Sequence, residues 1–247
     1  MNIGGFVDIH CHILPGVDDG ARDIEKAKLM LRQAAEDGIT DIVATPHNKS
    51  GRHNADKKTC QELISELDGW LKENKIPINL YLGNEILYRH GIDDLLEAQE
   101  ACTLADSFYV LTEFSPKDDY GYIRSGVQEI VLAGYSPVIA HVERYDAIAC
   151  NKGADRLEEL IELGAYIQVN AASIEGKAGF FEKRRVLKWI KSGLVDIVAT
   201  DGHGTNSRPV KISESAKIVK SKCGEDIAEM IYHTNPQSIL QNKLIYR

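Results

Sequence analysis

Short runs of β-branched residues alternate with amphipathic segments along the whole chain, and this alternation constrains the fold more than any other feature. The spacing predicts strands over 6–9, 39–45, 76–82, 107–111, 137–140, 165–169 and 194–200. Between the first two, Ile24, Ala27, Leu31, Ala34 and Ala35 recur at helical spacing, and Gly38 closes that helix as a left-handed cap. Cys60, Leu63, Ile64, Leu67 and Leu71 mark the next helix, followed by a short one over 91–98 and others over 123–133, 152–163 and 180–192. From Val210 the tail reads as two helices, with Asn235-Pro236 breaking the second. Strand and helix in strict alternation require a parallel sheet. Seven such units imply an α/β fold closed, or nearly closed, into a barrel. Linkers and low-complexity segments are absent, so residues 1–247 read as a single domain.

In barrels of this kind functional groups collect where strands end. The predicted strand exits carry His10 and His12, His47, Glu85, Glu113, His141, Asn170, Asp201 and His203, so five of the eight histidines sit there. Side chains at i and i+2 of an extended segment point the same way, so His10 and His12 face one point while Cys11 turns from it. A bare H-x-H is weak evidence, and any one of these residues alone is equally well a satisfied polar group. Eight donors on one rim are not so readily explained. Imidazoles and carboxylates without thiolates suit Mn²⁺, Zn²⁺ or Fe²⁺ rather than Ca²⁺, and eight exceed the needs of one ion, implying two or three. Such clusters clamp the attacking and leaving oxygens of phosphoryl transfer and bring the pKa of a bound water toward neutrality. After the Pro15-Gly16 turn, Asp18-Asp19-Gly20 adds oxygen ligands or a proton donor, or caps the following helix.

The order H-x-H, T-P-H, G-x-E, E-F, H-x-E-R, D-x-H resembles the PHP (polymerase and histidinol phosphatase) superfamily. The strings D-I-H-C-H-I-L-P-G-V-D-D-G-A and H-V-E-R-Y resemble, more narrowly, the CpsB/YwqE-type bacterial protein tyrosine phosphatases. The resemblance runs over nearly the whole chain. It implies a distorted TIM-like (β/α)7 barrel, a trinuclear centre usually read as manganese, and hydrolysis of phosphotyrosine on bacterial tyrosine autokinases that control capsule or exopolysaccharide assembly. By the same resemblance His10, His12, Glu85 and Asp201 surround one metal, Glu85, Glu113 and His141 hold a second, and His47 and His203 a third. Arg144 and Arg208 then hold the phosphoryl oxygens and Asp19 is the acid, with Asp18 as its competitor. One departure stands out: Asn48 follows His47 where the family usually has a second histidine, and the loop 49–54 lacks the expected aromatic residue. Both bear on substrate preference more than on metal binding.

Physical chemistry supports parts of this independently. Guanidinium groups match phosphate in a forked manner, so Arg144 and Arg208 suit a dianion, though either alone is as well explained by a surface ion pair. The expected mechanism is in-line attack by a metal-activated hydroxide without a covalent enzyme intermediate. A tyrosine leaving group with a pKa near 10 needs an acid less than an alkyl oxygen does. Cys150 and Arg156 satisfy C-x5-R, but with one glycine between them and a helix already begun, coincidence explains the match. His53, His90 and His233 fall away from the strand exits and read as surface residues, whereas Tyr88, Arg89 and Arg52 either line a peptide groove or are exposed loop residues.

The net charge of −8 argues against a general nucleic-acid or anionic-membrane binder. No apolar run approaches the roughly 20 residues of a membrane span, and no basic region leads into an apolar core at the amino terminus. Five scattered cysteines, never spaced C-x-x-C, fit reduced thiols, and the expected location is the cytoplasm. Two rival readings remain: a small-molecule phosphoesterase of the histidinol-phosphatase kind, and a non-catalytic barrel that binds a kinase tail.

Overall fold

The computed structural model describes residues 5–51, 54–150 and 152–247; Arg52, His53 and Asn151 lie outside the described residues. Among the described residues nine strands run in one direction: β1 Phe6–Cys11, β2 Ile39–Ala44, β3 His47–Asn48, β4 Asn79–Leu82, β5 Glu85–Leu87, β6 Tyr109–Glu113, β7 Ser136–Ile139, β8 Tyr166–Asn170 and β9 Ile197–Ala199. They form two sheets, ordered β1-β2-β4 and β3-β5-β6-β7-β8-β9, with every pairing parallel. Only two residues separate β2 from β3 and β4 from β5, so nine strands make seven passes of the chain. The breaks have a cause in the sequence. Pro46 has no N–H for the ladder, and a Cβ on Gly83 would press on Leu104 and Val43.

β1 and the exit of β9 meet across the seam between the two sheets. Asp201 N–H donates to the His10 carbonyl and His12 N–H to the Gly202 carbonyl, both at 2.9 Å. Below them the buried Asp8 carboxylate accepts from Thr200 N–H at 2.9 Å and from its hydroxyl at 2.5 Å. The result is a distorted TIM-like barrel of seven passes, as the alternation of strand and helix predicts.

Helices cover the outside: α1 Ile24–Glu36, α2 Lys57–Glu73, α3 Ile92–Glu97, α4 Tyr120–Leu132, α5 Gly153–Glu162, α6 Ala171–Glu175, α7 Phe180–Lys191, α8 Ser213–Cys223, α9 Glu225–Glu229 and α10 Asn235–Leu240. Asp23 caps α1 by accepting from Lys26 N–H, so neither Asp18 nor Asp19 does so. The chain does not break at Pro236, which lies in the first turn of α10 on a helical backbone that runs on from α9. A wide π-type turn over Met230–Thr234 joins α9 to it.

The core has two layers. Ile42, Val110, Ile139, Ile167 and Val198 face the helices, while Val7, Ile9, Tyr109, Leu111, Val138, Ile197 and Ala199 fill the barrel interior. The interior face then continues upward at period two. Tyr109 and Leu111 lead to Glu113, Ile197 and Ala199 to Asp201, and Tyr166 to Gln168 and Asn170. The same alternation thus lays an apolar floor, worth roughly 1.5–3 kcal/mol per large side chain, beneath a polar upper tier.

Candidate metal centre

The upper tier gathers all eight metal-ligand candidates at one mouth. Glu85, which opens β5, is its hub. His141 Nε2 lies 2.8 Å and His10 Nε2 3.3 Å from Glu85 Oε1, while His47 Nδ1 lies 2.8 Å and His12 Nε2 3.2 Å from Oε2. Glu113, at the end of β6, stands 3.4 Å from His47 Nδ1 and 3.9 Å from His141 Nε2. Asp201 Oδ1 is 3.5 Å from His10 Nε2 and 3.6 Å from His12 Nε2. His203 leans against His12, ring centres 3.9 Å apart and planes tilted by 37°.

Four sets of donor atoms converge: His10, His12 and Asp201; His10, Glu85 and His141; His47, Glu85 and Glu113; and His12, Asp19, His47 and His203. These sets differ from the grouping the resemblance implies: Glu85 is absent from the first, Glu113 falls with His47 rather than His141, and the last adds His12 and Asp19 to His47 and His203. Asp19 is 66 % exposed, with Oδ1 3.2 Å from His47 Nε2 and 3.4 Å from His203 Nε2. It is thus within reach of a ligand role as well as an acid's.

The donor set fits divalent cations. His10 Nε2 and His12 Nε2 face each other at 3.3 Å, an arrangement that only a shared proton or a cation stabilises. Among the described residues, His47 Nδ1, Glu85 Oε2, Glu113 Oε1, His141 Nδ1, Asp201 Oδ1 and His203 Nε2 of this cluster are buried without a well-oriented hydrogen bond, although most have a charged neighbour close by. Buried groups left unbonded cost about 1–3 kcal/mol each, so their concentration at one point marks a place for ligands.

Outer contacts fix the rings. Gln168 Oε1 meets His10 Nδ1 at 3.1 Å and accepts from His141 N–H at 2.9 Å, and its amide donates to Asn170. Asn170 in turn donates to Asp201 Oδ2 at 2.9 Å. Asp18 holds His12 Nδ1 at 2.7 Å and accepts from the N–H of His47 and of Gly20. Asp18 therefore turns inward as a positioning residue, leaving Asp19 outward. Gly20 is required because a Cβ there would overlap the His12 backbone. His203 Nδ1 is held by the Asp201 carbonyl at 3.0 Å. At His10, His12 and His203 the contact to Nδ1 leaves Nε2 aimed at the cluster. His141 and Asp201 adopt left-handed backbone, φ 34° and 50°, a strain of about 1–3 kcal/mol apiece that points their side chains inward.

Electrostatics tie the cluster together. Burial pulls the His10 pKa down, but the charges of Glu85 and Asp201 outweigh it and push the value up to about 9. His47, opposed by burial but bonded to Glu113 and Glu85, rises to about 10. Burial resists ionisation of Glu85, yet His10, His12 and His141 hold its carboxyl well below the usual range. His203 moves the other way, to about 4, through burial and the neighbouring His12 and Arg208 charges.

Arg144 and Arg208 both reach Asp201, with Nη2 at 3.0 Å from Oδ2 and 2.5 Å from Oδ1 respectively. They line a small cavity beside the centre with Asn170, Thr200, Lys177 and Lys211. Glu143 is buried behind them, accepting from Asn170 N–H and the Ser173 hydroxyl, and Lys49 Nζ lies 3.1 Å from Glu113. Gln168, Asp8, Glu143 and Lys49 were not singled out from the sequence. Gln168 and Asp8 stand two residues before Asn170 and His10, so strand periodicity carried a usable signal.

Asn48 points away from the centre and donates to the Glu100 carbonyl at 2.8 Å, so the substituted histidine position leaves the ligands untouched. Tyr88 is not a groove residue. It is buried, and its hydroxyl donates to Glu129 at 2.8 Å. His90 is exposed, as expected, whereas His233 is half-buried against the Gly5 carbonyl. Arg156 contacts Cys150 Sγ at 3.4 Å, but the same guanidinium is held by the Ala147 carbonyl and the Tyr120 ring and the Cys150 thiol also donates to that carbonyl, so the pair closes on its own loop.

Imidazoles and carboxylates crowded at the strand exits of a parallel barrel define a metallohydrolase-like class of protein. The family described as capsular polysaccharide synthesis, CpsB/CapC, matches residues 6–241. The tyrosine-protein phosphatase CpsB of Streptococcus pneumoniae is 34 % identical over 245 residues, covering 97 % of this chain and 100 % of the relative. A solved chain from crystal structures of YwqE from Bacillus subtilis and CpsB from Streptococcus pneumoniae, described as unique metal-dependent tyrosine phosphatases, superposes with a TM-score of 0.91. It is 32 % identical and covers 98 % of this chain and 96 % of its own. A histidinol phosphate phosphatase from Lactococcus lactis shares the fold at a TM-score of 0.58 and 12 % identity, over 88 % of this chain and 94 % of its own. The chain belongs to the CpsB/CapC family.

Proposed function

We propose that this chain is a metal-dependent protein tyrosine phosphatase, a phosphoric monoester hydrolase acting on phosphotyrosine of a bacterial tyrosine autokinase that controls capsule or exopolysaccharide synthesis. The observation that carries the reading is the placement of two arginines against Asp201 at the mouth of an eight-donor cluster. The names of the relatives support the phosphotyrosine substrate and the link to capsule synthesis.

His10, His12, Glu85 and Asp201 would hold one cation, Glu85, Glu113 and His141 a second, and His47 and His203, joined by Asp19 or His12, a third. Bound cations, manganese by preference with zinc or iron(II) as substitutes, supply Lewis acidity and make water nucleophilic at neutral pH. The remaining work falls to the chain itself. Arg144 and Arg208 bind the equatorial phosphoryl oxygens and take up charge as it spreads over them, while Asp201 orients both forks. Asp19, exposed at the rim, delivers a proton to the departing phenolic oxygen. Cys11 packs outside the barrel wall and the Cys150 thiol is turned to the Ala147 carbonyl of its own loop, so the proposed route uses neither as a nucleophile.

The test is turnover of a phosphotyrosine peptide with added Mn²⁺, against the same reaction with chelator and against histidinol phosphate. Chelator-sensitive turnover with the higher kcat/KM for the peptide supports the reading. A preference for histidinol phosphate moves the chain to small-molecule chemistry, and metal-bound protein that turns over neither leaves a binding module.

A further inference from the structure

Helix α7 begins with two adjacent aromatic residues that nothing covers. Phe180 and Phe181 are 70 % and 81 % exposed, and their rings pack only edge-to-face on each other, with centres 5.8 Å apart. The rest of the outward stripe is cationic: Arg184, Lys188 and Lys191 are exposed on successive turns. Lys183 and Leu187 are half-buried at the flank of this stripe, and the remaining residues face inward. Val186, Trp189 and Ile190 are buried, Glu182 approaches Arg185, and Arg185 is drawn in over the Trp189 ring and the Glu143 carbonyl. The exposed stripe therefore carries positive charge and apolar surface with no acid on it.

We propose that this face docks the protein onto a membrane surface rich in anionic lipid, with Phe180 and Phe181 entering the headgroup boundary and Arg184, Lys188 and Lys191 lying against the phosphates. Exposed aromatics at one end of a helix and long cationic arms along it are the pattern of an interfacial segment. The charge complementarity is with a plane of phosphodiesters, which asks for no matching shape. Flexible lysine and arginine stems can lay their methylenes on the apolar boundary while the charged heads stay in water.

The overall charge of −8 does not oppose this. At physiological salt fields decay within about 8 Å, so a lipid surface senses the nearest face rather than the molecule's total. The placement also bears on the candidate centre. Phe180 follows three residues after Lys177, which lines the cavity of Arg144 and Arg208. Docking through this end of α7 would bring that cavity close to the lipid plane and favour phosphoproteins tethered there. The docking itself does not depend on the phosphatase reading.

Sedimentation with vesicles tests it. The full chain is mixed with phosphatidylcholine vesicles, or with phosphatidylcholine–phosphatidylglycerol vesicles, at low and high salt. Expected is binding only to the mixed vesicles, weakened by salt, and weakened about tenfold or more in a Phe180→Ser/Phe181→Ser variant and in an Arg184→Glu/Lys188→Glu variant. All four positions are exposed, so both variants should keep the parent's thermal unfolding midpoint, read by circular dichroism. Equal sedimentation with the two vesicle types overturns the proposal, as does parental binding by correctly folded variants. Absence of vesicle binding together with a raised KM of the variants for a phosphoprotein also overturns it, and assigns the face to substrate instead.

Discussion

The inner wall of the centre and its rim are built differently. His10, His12, Glu85 and Asp201 are almost fully buried, and His10, His12 and Asp201 have further partners behind them in Gln168, Asp18 and Asn170. At the rim, Asp19 is two-thirds exposed, while Arg144 and Arg208 are 42 % and 36 % exposed and touch the wall through Asp201. Buried, buttressed donors suit ligands that stay, and half-exposed guanidinium groups suit a substrate that must enter and leave. The contrast predicts that damage to the wall changes metal content first, whereas damage to the rim changes KM or pH dependence with the metals in place.

The largest expected effect is at the wall. Asp201→Ala and Glu85→Ala each remove a shared carboxylate and should lower kcat by on the order of a thousandfold or more, with fewer metals per chain by elemental analysis. Full metal content with normal turnover in either variant would erase the distinction. One layer back, Gln168→Leu and Asp18→Asn should weaken metal affinity by about 10- to 100-fold without removing a ligand, read by chelator competition. At the rim, Arg208→Lys and Arg144→Lys should keep full metal content while kcat/KM falls about 10- to 100-fold, since a lysine cannot form the forked contact.

Proton release sharpens the comparison further. In metal-free protein His10 and His47, with pKa values raised to about 9 and about 10, carry protons at neutral pH. Cations must displace them, so affinity should fall as pH drops below these values, by about tenfold per unit for each proton displaced. Calorimetry in buffers of different ionisation enthalpy counts the protons, and a count of zero would contradict the assignment. Smallest of all, Asn48→His and Cys150→Ser should leave kcat/KM within about twofold, because Asn48 points away from the ligands and Cys150 belongs to a chance match.

The sequence shows the wall more clearly than what supports it. His10, His12, His141 and Asp201 follow recognisable strands, and ligand chemistry follows from residue type. Hydrogen bonds such as Gln168 to His10 span 158 residues, and no local pattern encodes them. Asp18 and Asp19 are adjacent and chemically alike; only the turn that Gly20 permits sends one inward and the other out. The interruptions at Thr45-Pro46 and Gly83-Asn84 turn single predicted passes into pairs of strands, because a break in backbone bonding leaves the hydrophobic alternation intact. Tyr88 reads as a groove or exposed loop residue, yet packing against Phe114 and Tyr122 buries it.

The seam between the first and last passes has a consequence for assembly of the molecule. His10 and Asp201 are joined backbone to backbone there and, on the reading above, also share a cation. Filling the centre would therefore rivet the opening of the polypeptide to a stretch nearly two hundred residues later. Metal-loaded protein should resist proteolytic nicking at both places together, and stripping the ions should loosen them as one unit rather than fray either end alone.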